Sequence, residues 1–289
     1  MALNVLLFAG LLARVPTGKA YVDGVVAAGG QVHFDHGALR TIDGATGALP
    51  SGCAAFERLL APLGYEVADI YPLPRLRMTG RAFVQRDHPE DIPQFFVSEL
   101  HVGELPPEAQ TASVRVFGTS IDPIGADERA LLDALERNGS CRFDVAAAGL
   151  PGLLGAFGRH HPGPGIDDYL TLLAHSAEAA WIATEGNAFN HATDRVGDIE
   201  ALVDRLRGDG MPLKADIETS ANGRVRQTAL LADKVRRRFR QADGSWETRD
   251  VPGSFYEFIQ RAVDPATGQL DLGFDSGNAT GIFAVTQAR

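Results

Sequence analysis

From residue 224 onward the chain offers three strand-length runs in close succession: RVRQTALLADKVRRRFR, SWETRDV and SFYEFIQRAV. Between the first two, ADGS supplies turn chemistry, because Asp and Gly accept the backbone angles of a tight reversal. Strands joined by such short turns read as an antiparallel sheet. Cationic residues alternate along KVRRRFR, which therefore reads as the wet face of a strand. A nucleic-acid patch is the weaker reading. The formal charge is −10, from 37 acidic against 27 basic side chains, and phosphate backbones would be repelled.

Upstream the pattern is mixed. Residues 4 to 28 read as one helix ending at Gly29-Gly30. Val32 and Phe34 then alternate with His33 and Asp35 in a short strand that His36 closes at a sheet edge. A helix over 51 to 65 has Ser51 as its cap and Gly64 as its stop. EVADIYPL, RAFVQR and QFFVSELHVGEL read as strands, and so does SVRVFG. A helix over 126 to 139, a helical tract from Ile166 to Ala183 and a helix capped by Asp198 follow. The expected class is α+β with a mostly antiparallel sheet, one domain over 1–289, and a helical insertion at roughly 125–210.

Composition agrees with a globular chain: 45% of the 289 residues are apolar, and no low-complexity linker divides them. The apolar start, MALNVLLFAGLLARV, lacks a basic leader and a cleavage pattern, so it reads as an amphipathic first helix. No transmembrane segment is expected. Cys53 and Cys141 lie far apart and form no CxxC pair, which fits a reduced, cytoplasmic setting.

Three stretches concentrate chemistry. HFDHGALRTI places His36 beside Gly37, with Arg40 at the spacing of one helical turn. NAFNHATDRV surrounds His191 with Asn187, Asn190, Thr193 and Asp194, small hydrogen-bonding groups of the kind that orient an imidazole. SFYEFIQR sets Glu257 among Phe255 and Ile259 on one side and Tyr256 and Phe258 on the other, so it faces apolar surroundings either way. A buried, lone carboxylate costs several kcal/mol, so Glu257 needs a partner. A metal ion would serve, and so would an arginine of the basic strand. Two histidines and one carboxylate form the facial triad of non-haem Fe(II) oxygenases, which leaves positions open for substrate and O₂. The remaining histidines read as ordinary core or surface residues. Asp35 and His33 point to the other side of the strand, in supporting roles.

HFDHGALRT, NAFNHATDRV and SFYEFIQR together resemble the 2-oxoadipate dioxygenase/decarboxylase family, over most of the chain. The resemblance implies metal ligation by His36, His191 and Glu257, and a substrate carboxylate held by Arg40. A more distant similarity, to the end of 4-hydroxyphenylpyruvate dioxygenases, covers SFYEFIQR and GFDSGNATGIFAV. It implies the vicinal oxygen chelate fold, paired βαβββ units forming a half-open barrel. It also implies a substrate-side role for Gln227 and a gating helix after Gly277 and Asn278. The implied activity is Fe(II)-dependent oxidative decarboxylation and hydroxylation of a 2-oxo dicarboxylic acid with O₂, 2-oxoadipate giving 2-hydroxyglutarate and CO₂. Two alternatives stand beside it. One is another vicinal oxygen chelate enzyme, such as an aromatic 2-oxo acid dioxygenase, for which Phe95, Phe96, Tyr256 and Phe258 could line an aromatic pocket, although core packing is the commoner use of such rings. The other is a non-catalytic metabolite-binding protein on the same scaffold.

Overall fold

A computed structural model describes residues 1–275 and residue 277, so the gating helix expected from Asn278 onward lies outside the described residues. Two helices, α1 (Ala2–Arg14) and α2 (Pro16–Ala27), stand where one was expected. Pro16 has no N–H to continue the first helix but suits the opening turn of a second, and the pair bends by 116° at this point. Among the described residues no single helix is long and apolar enough to cross a membrane.

The first sheet unit is β1 (Phe34–Asp43), α3 (Ala54–Leu60), β2 (Tyr65–Leu73), β3 (Met78–Gln85) and β4 (Gln94–His101). His36 does not end its strand at an edge. β1 runs on to Asp43, because Leu39 and Ile42 are apolar and buried between neighbouring strands on both sides. Arg40 is thus a strand residue, two pleats beyond His36 rather than one helical turn. Ser51 does not cap α3 either. Its hydroxyl joins Gly44 and Asp43, and the Glu99 carboxylate of β4 receives the Cys53 N–H at 2.6 Å.

Five helices follow: α4 (Pro107–Phe117), α5 (Ala126–Asn138), α6 (Phe143–Gly155), α7 (Ile166–His175) and α8 (Ala177–Glu185). SVRVFG lies in α4 and is not a strand. Ala109, Ala112, Ser113, Val116 and Phe117 recur at helical spacing and bury one face, and that packing overrides the β-branched character of the segment. The tract from Ile166 is two helices, because the Ser176 hydroxyl accepts the Ala179 N–H and starts α8 afresh.

The second unit is β5 (Phe189–Arg195), α9 (Ile199–Gly208), β6 (Glu218–Thr219), β7 (Val225–Ala229), β8 (Lys234–Arg240), β9 (Trp246–Pro252) and β10 (Phe255–Arg261). Asp198 caps α9 as expected, accepting the Ala201 N–H at 3.0 Å. The hairpin β8–β9 stands apart from the main sheet and buries Phe239, while Lys234, Arg236, Arg238 and Arg240 stay exposed. The main sheet has the order β2-β3-β4-β1-β5-β10-β7-β6. β1 with β4 and β5 with β10 are parallel, and every other pairing is antiparallel. The architecture is α+β: a curled half-barrel of two βαβββ units joined through β1 and β5.

Candidate metal centre

The seam between the units brings three distant side chains together. His36 on β1 lies opposite Thr193 on β5, and Thr193 lies beside Glu257 on β10. His191 precedes Thr193 by one pleat on the same face. Ligand-capable atoms of His36, His191 and Glu257 all fall within 4.8 Å of one another, and all three residues are buried. They line a pocket together with Ala38, Phe96, Ser98, Asn190, Gln227 and Phe274.

Each imidazole has a defined support. The Asp35 carboxylate accepts from His36 Nδ1 at 2.8 Å. Burial alone would raise this carboxyl, but the Arg261 guanidinium outweighs it, and Asp35 stays well below the usual carboxylate range. An ionised carboxylate only accepts, so Nδ1 carries the proton. That leaves His36 Nε2 for the pocket, where the Thr193 hydroxyl is 3.1 Å away. Asp35 was expected on the far side of the strand. A bulge between Phe34 and His36 turns it toward its neighbour's ring instead.

His191 is held neutral, since burial lowers its pKa more strongly than the adjacent Glu257 raises it. Its Nδ1 faces the Asn190 amide at 3.0 Å. The two orientations of that amide match the two tautomers of His191. With Nδ2 toward the ring the proton sits on Nε2, and with Oδ1 toward the ring it sits on Nδ1 and Nε2 is free to bind a cation. In the first orientation Asn190 Oδ1 is buried without a hydrogen-bond partner among the described residues.

The donor set fits a divalent metal ion. Glu257 Oε2 comes within 2.9 Å of His191 Nε2 yet lacks hydrogen-bond alignment, and it too is buried without such a partner among the described residues. Two imidazoles and one carboxylate aimed at a common point are what a cation would satisfy. The basic strand does not supply Glu257's partner, because Arg237 forms its ion pair with Glu185. A second group, Asp43, Glu99 and His101, also clusters. Its members already have partners: His101 bonds Thr79 and, within the group, Asp43, while Glu99 accepts from Arg81 and the Cys53 N–H.

Gln227 lines the pocket. Arg40 is not among the lining residues. It is 1% exposed, in register with the lining residue Ser98, and its guanidinium lies 5.0 Å from the Trp181 ring. Burial lowers its pKa to about 10 against the pull of Glu178, so it remains cationic at neutral pH. Asn187 does not orient His191 but donates to the Arg40 carbonyl at 2.7 Å. Of the four aromatic residues proposed for the pocket, Phe96 lines it, while Phe95, Tyr256 and Phe258 belong to the core. Arg261 and Phe274 fall inside the stretches SFYEFIQR and GFDSGNATGIFAV but were not singled out as site residues, and Ser98 carried no signal that pointed to this site.

The sequence profile of the 2-oxoadipate dioxygenase/decarboxylase family matches residues 26–270. The chain belongs to that family. A relative within it, the rice (Oryza sativa subsp. japonica) chloroplastic/amyloplastic 2-oxoadipate dioxygenase/decarboxylase, is 26% identical over 306 residues. The match covers 95% of this chain and 75% of the rice protein. The Arabidopsis thaliana chloroplastic enzyme of the same name is also 26% identical. Among solved structures, a Ralstonia eutropha JMP134 protein bearing a glyoxalase-superfamily name is 52% identical with a TM-score of 0.91, covering 95% of this chain and 85% of that one. The rice hydroxyglutarate synthase solved with 2-oxoadipate shares the fold, at 23% identity and a TM-score of 0.76 over 99% of this chain and 91% of that one. The family's half-barrel is therefore the fold of this chain.

Proposed function

We propose that the chain is a non-haem Fe(II) enzyme that converts a 2-oxo dicarboxylic acid, 2-oxoadipate, to 2-hydroxyglutarate and CO₂ with O₂. The observation that carries this reading is the trio His36, His191 and Glu257, buried and within 4.8 Å, in a chain of this family. The transformation balances without an added reductant, since 2-oxoadipate plus O₂ equals 2-hydroxyglutarate plus CO₂ in atoms and electrons. His36 Nε2, His191 Nε2 and the Glu257 carboxylate would hold the ion. The chemistry it supplies when bound is chelation of the 2-oxo acid and activation of O₂.

The chain's own residues do the rest. Arg40, cationic and on the same strand face as His36, provides the planar fork that matches a substrate carboxylate. Gln227 offers an amide on the opposite wall. Phe96 and Phe274, with ring centroids 4.9 Å apart, exclude water from the pocket. Those same rings favour a second reading, a 2-oxo acid with an aromatic tail.

Iron-loaded protein offered a panel of 2-oxo acids, with O₂ uptake and CO₂ release followed together, separates the two. Turnover of 2-oxoadipate supports the proposal, turnover of only aromatic acids supports the second reading, and binding without turnover defeats both. Arg40→Lys is expected to raise KM for the substrate about 10- to 100-fold, a bidentate pair's worth of roughly 1.5–3 kcal/mol, and to leave metal affinity unchanged. Equal loss of both would remove Arg40 from this role.

A further inference from the structure

Arg261 is the last residue of β10, and its side chain is fully buried. Its Nε and Nη2 donate to the two carboxylate oxygens of Asp35, each at 2.8 Å. Its Nη1 points the other way, to the carbonyls of Asp271 at 3.0 Å and Gly273 at 2.6 Å. The guanidinium carbon also stands 4.9 Å from the centre of the Phe274 ring. One planar group thus touches two things at once. Through Asp35 it reaches the proton on His36 Nδ1, and through the two carbonyls it grips the segment that brings Phe274 to the pocket wall.

That segment is pinned from several strands. Tyr71 of β2 accepts the Phe274 N–H at 3.0 Å, and Gln94 of β4 donates to the Leu272 carbonyl at 3.3 Å. Phe274 in turn packs edge-on against His36, ring centroids 4.9 Å apart, and lines the pocket. The segment and the imidazole are neighbours that share Arg261 as their common support.

We infer that Arg261 is a positioning residue that couples closure of residues 271–274 over the pocket to the metal-binding tautomer of His36. The inference rests on the metal site proposed above. With the segment in place, its carbonyls hold the guanidinium fork square to Asp35, and Asp35 holds Nδ1–H so that Nε2 faces the ion. With the segment displaced, Nη1 loses both acceptors and the fork is free to turn away from Asp35. The geometry requires a guanidinium. Four of its five N–H donors are spent on partners lying on two sides, and a lysine ammonium, a single point charge, cannot span both. A coupling of this kind is reciprocal, so metal must tighten the segment as much as the segment tightens metal.

Arg261→Lys keeps a cation beside Asp35 and tests this. Two quantities are read on the purified full chain: Co(II) affinity by visible absorption, and the rate of chymotryptic cleavage after Phe274 by mass spectrometry. The expected result is Co(II) affinity lower by about 10- to 100-fold, the range for loss of an outer-shell partner, with cleavage after Phe274 several-fold faster. A merely structural ion pair would lower thermal stability and leave both readouts of the folded protein unmoved. Either readout staying at the wild-type value overturns the coupling. If Arg261→Lys does not fold, Asp35→Asn cuts the same link from the other end. Co(II) affinity then falls by the same order and saturating Co(II) no longer slows cleavage after Phe274, and unchanged affinity overturns the inference. Wild-type protein that binds Co(II) but does not turn over 2-oxoadipate refutes the proposed activity and leaves this test intact. Wild-type protein that takes up no Co(II) refutes both.

Discussion

In the first βαβββ unit Phe96 of β4 stands beside Ala38 of β1, two residues beyond His36. At the matching rung of the second unit Glu257 of β10 stands beside Thr193 of β5, two residues beyond His191. The next strands repeat the correspondence. Ala82 lies opposite Phe96 and Ala229 opposite Glu257, while Gly80 lies opposite Ser98 and Gln227 opposite Ile259. One frame used twice gives each half a histidine, but only the second half adds a carboxylate and an amide. The first half spends the equivalent positions on an aromatic wall. That asymmetry is what leaves a three-donor set with an open side, because a second carboxylate at the Phe96 position would close the coordination shell from the opposite wall.

The largest expected effect tests this asymmetry directly. Glu257→Ala is expected to weaken metal binding by more than about 100-fold, beyond the range seen for outer-shell losses, whereas Phe96→Ala should leave metal affinity within a few-fold. Metal content after dialysis against a defined free-metal buffer reads both. Metal-free Glu257→Ala should melt no lower than metal-free wild type, because it removes a 2% exposed carboxylate whose Oε2 has no hydrogen-bond partner among the described residues. A large drop in melting temperature would mean that Glu257 serves the fold rather than an ion.

Much of the second half was legible in the sequence, and less of the first. Asp198 capping α9, the wet face of β8 and the strand carrying Glu257 all follow from local pattern, since each depends on residues within a turn or a pleat. α4 did not, because Ser113 to Phe117 alternate like a strand and only burial of the Ala109–Ala112 face makes them helical. The trio itself was legible as three suggestive stretches, and resemblance to the family supplied their convergence. The Asp35–Arg261 pair was invisible for a physical reason. It joins residues 226 positions apart, and it exists because a bulge reverses the side that strand alternation assigns to Asp35.

A second difference lies on the seam itself, where Gly37 and Ala192 face each other across β1 and β5. Both follow a histidine, yet only one tolerates a side chain. A Cβ on Gly37 would lie 2.2 Å from the Phe189 ring, well inside contact distance. Gly37→Ala is therefore expected to cost about 1–3 kcal/mol of stability, since a fully buried ring must shift in a packed core. Because Phe189 lies directly behind the strand that carries His36, metal affinity should fall along with stability. Chemical denaturation of the metal-free protein, followed by metal titration, measures the two. A stable variant with unchanged affinity would show that the seam accommodates symmetry after all.

The smallest effect concerns the amide that the first half lacks. Gly80 has no side chain because a Cβ there would meet Phe96 Cζ at 2.5 Å, whereas Gln227 extends to the pocket wall from the equivalent rung. Its β6 neighbour Glu218 has its pKa raised by burial, and Lys214, whose ammonium donates to Glu218 Oε1 at 2.8 Å, opposes that rise. Gln227→Ala makes the second wall resemble the first. Losing one neutral hydrogen bond to substrate is worth about 0.5–1.5 kcal/mol, which predicts a KM for the 2-oxo acid higher by roughly 2- to 12-fold, with kcat and metal affinity near wild type. Steady-state kinetics at saturating metal separates the outcomes. A fall in kcat with KM unchanged would move Gln227 from holding substrate to stabilising the transition state, and the two walls would then differ in catalysis and not only in binding.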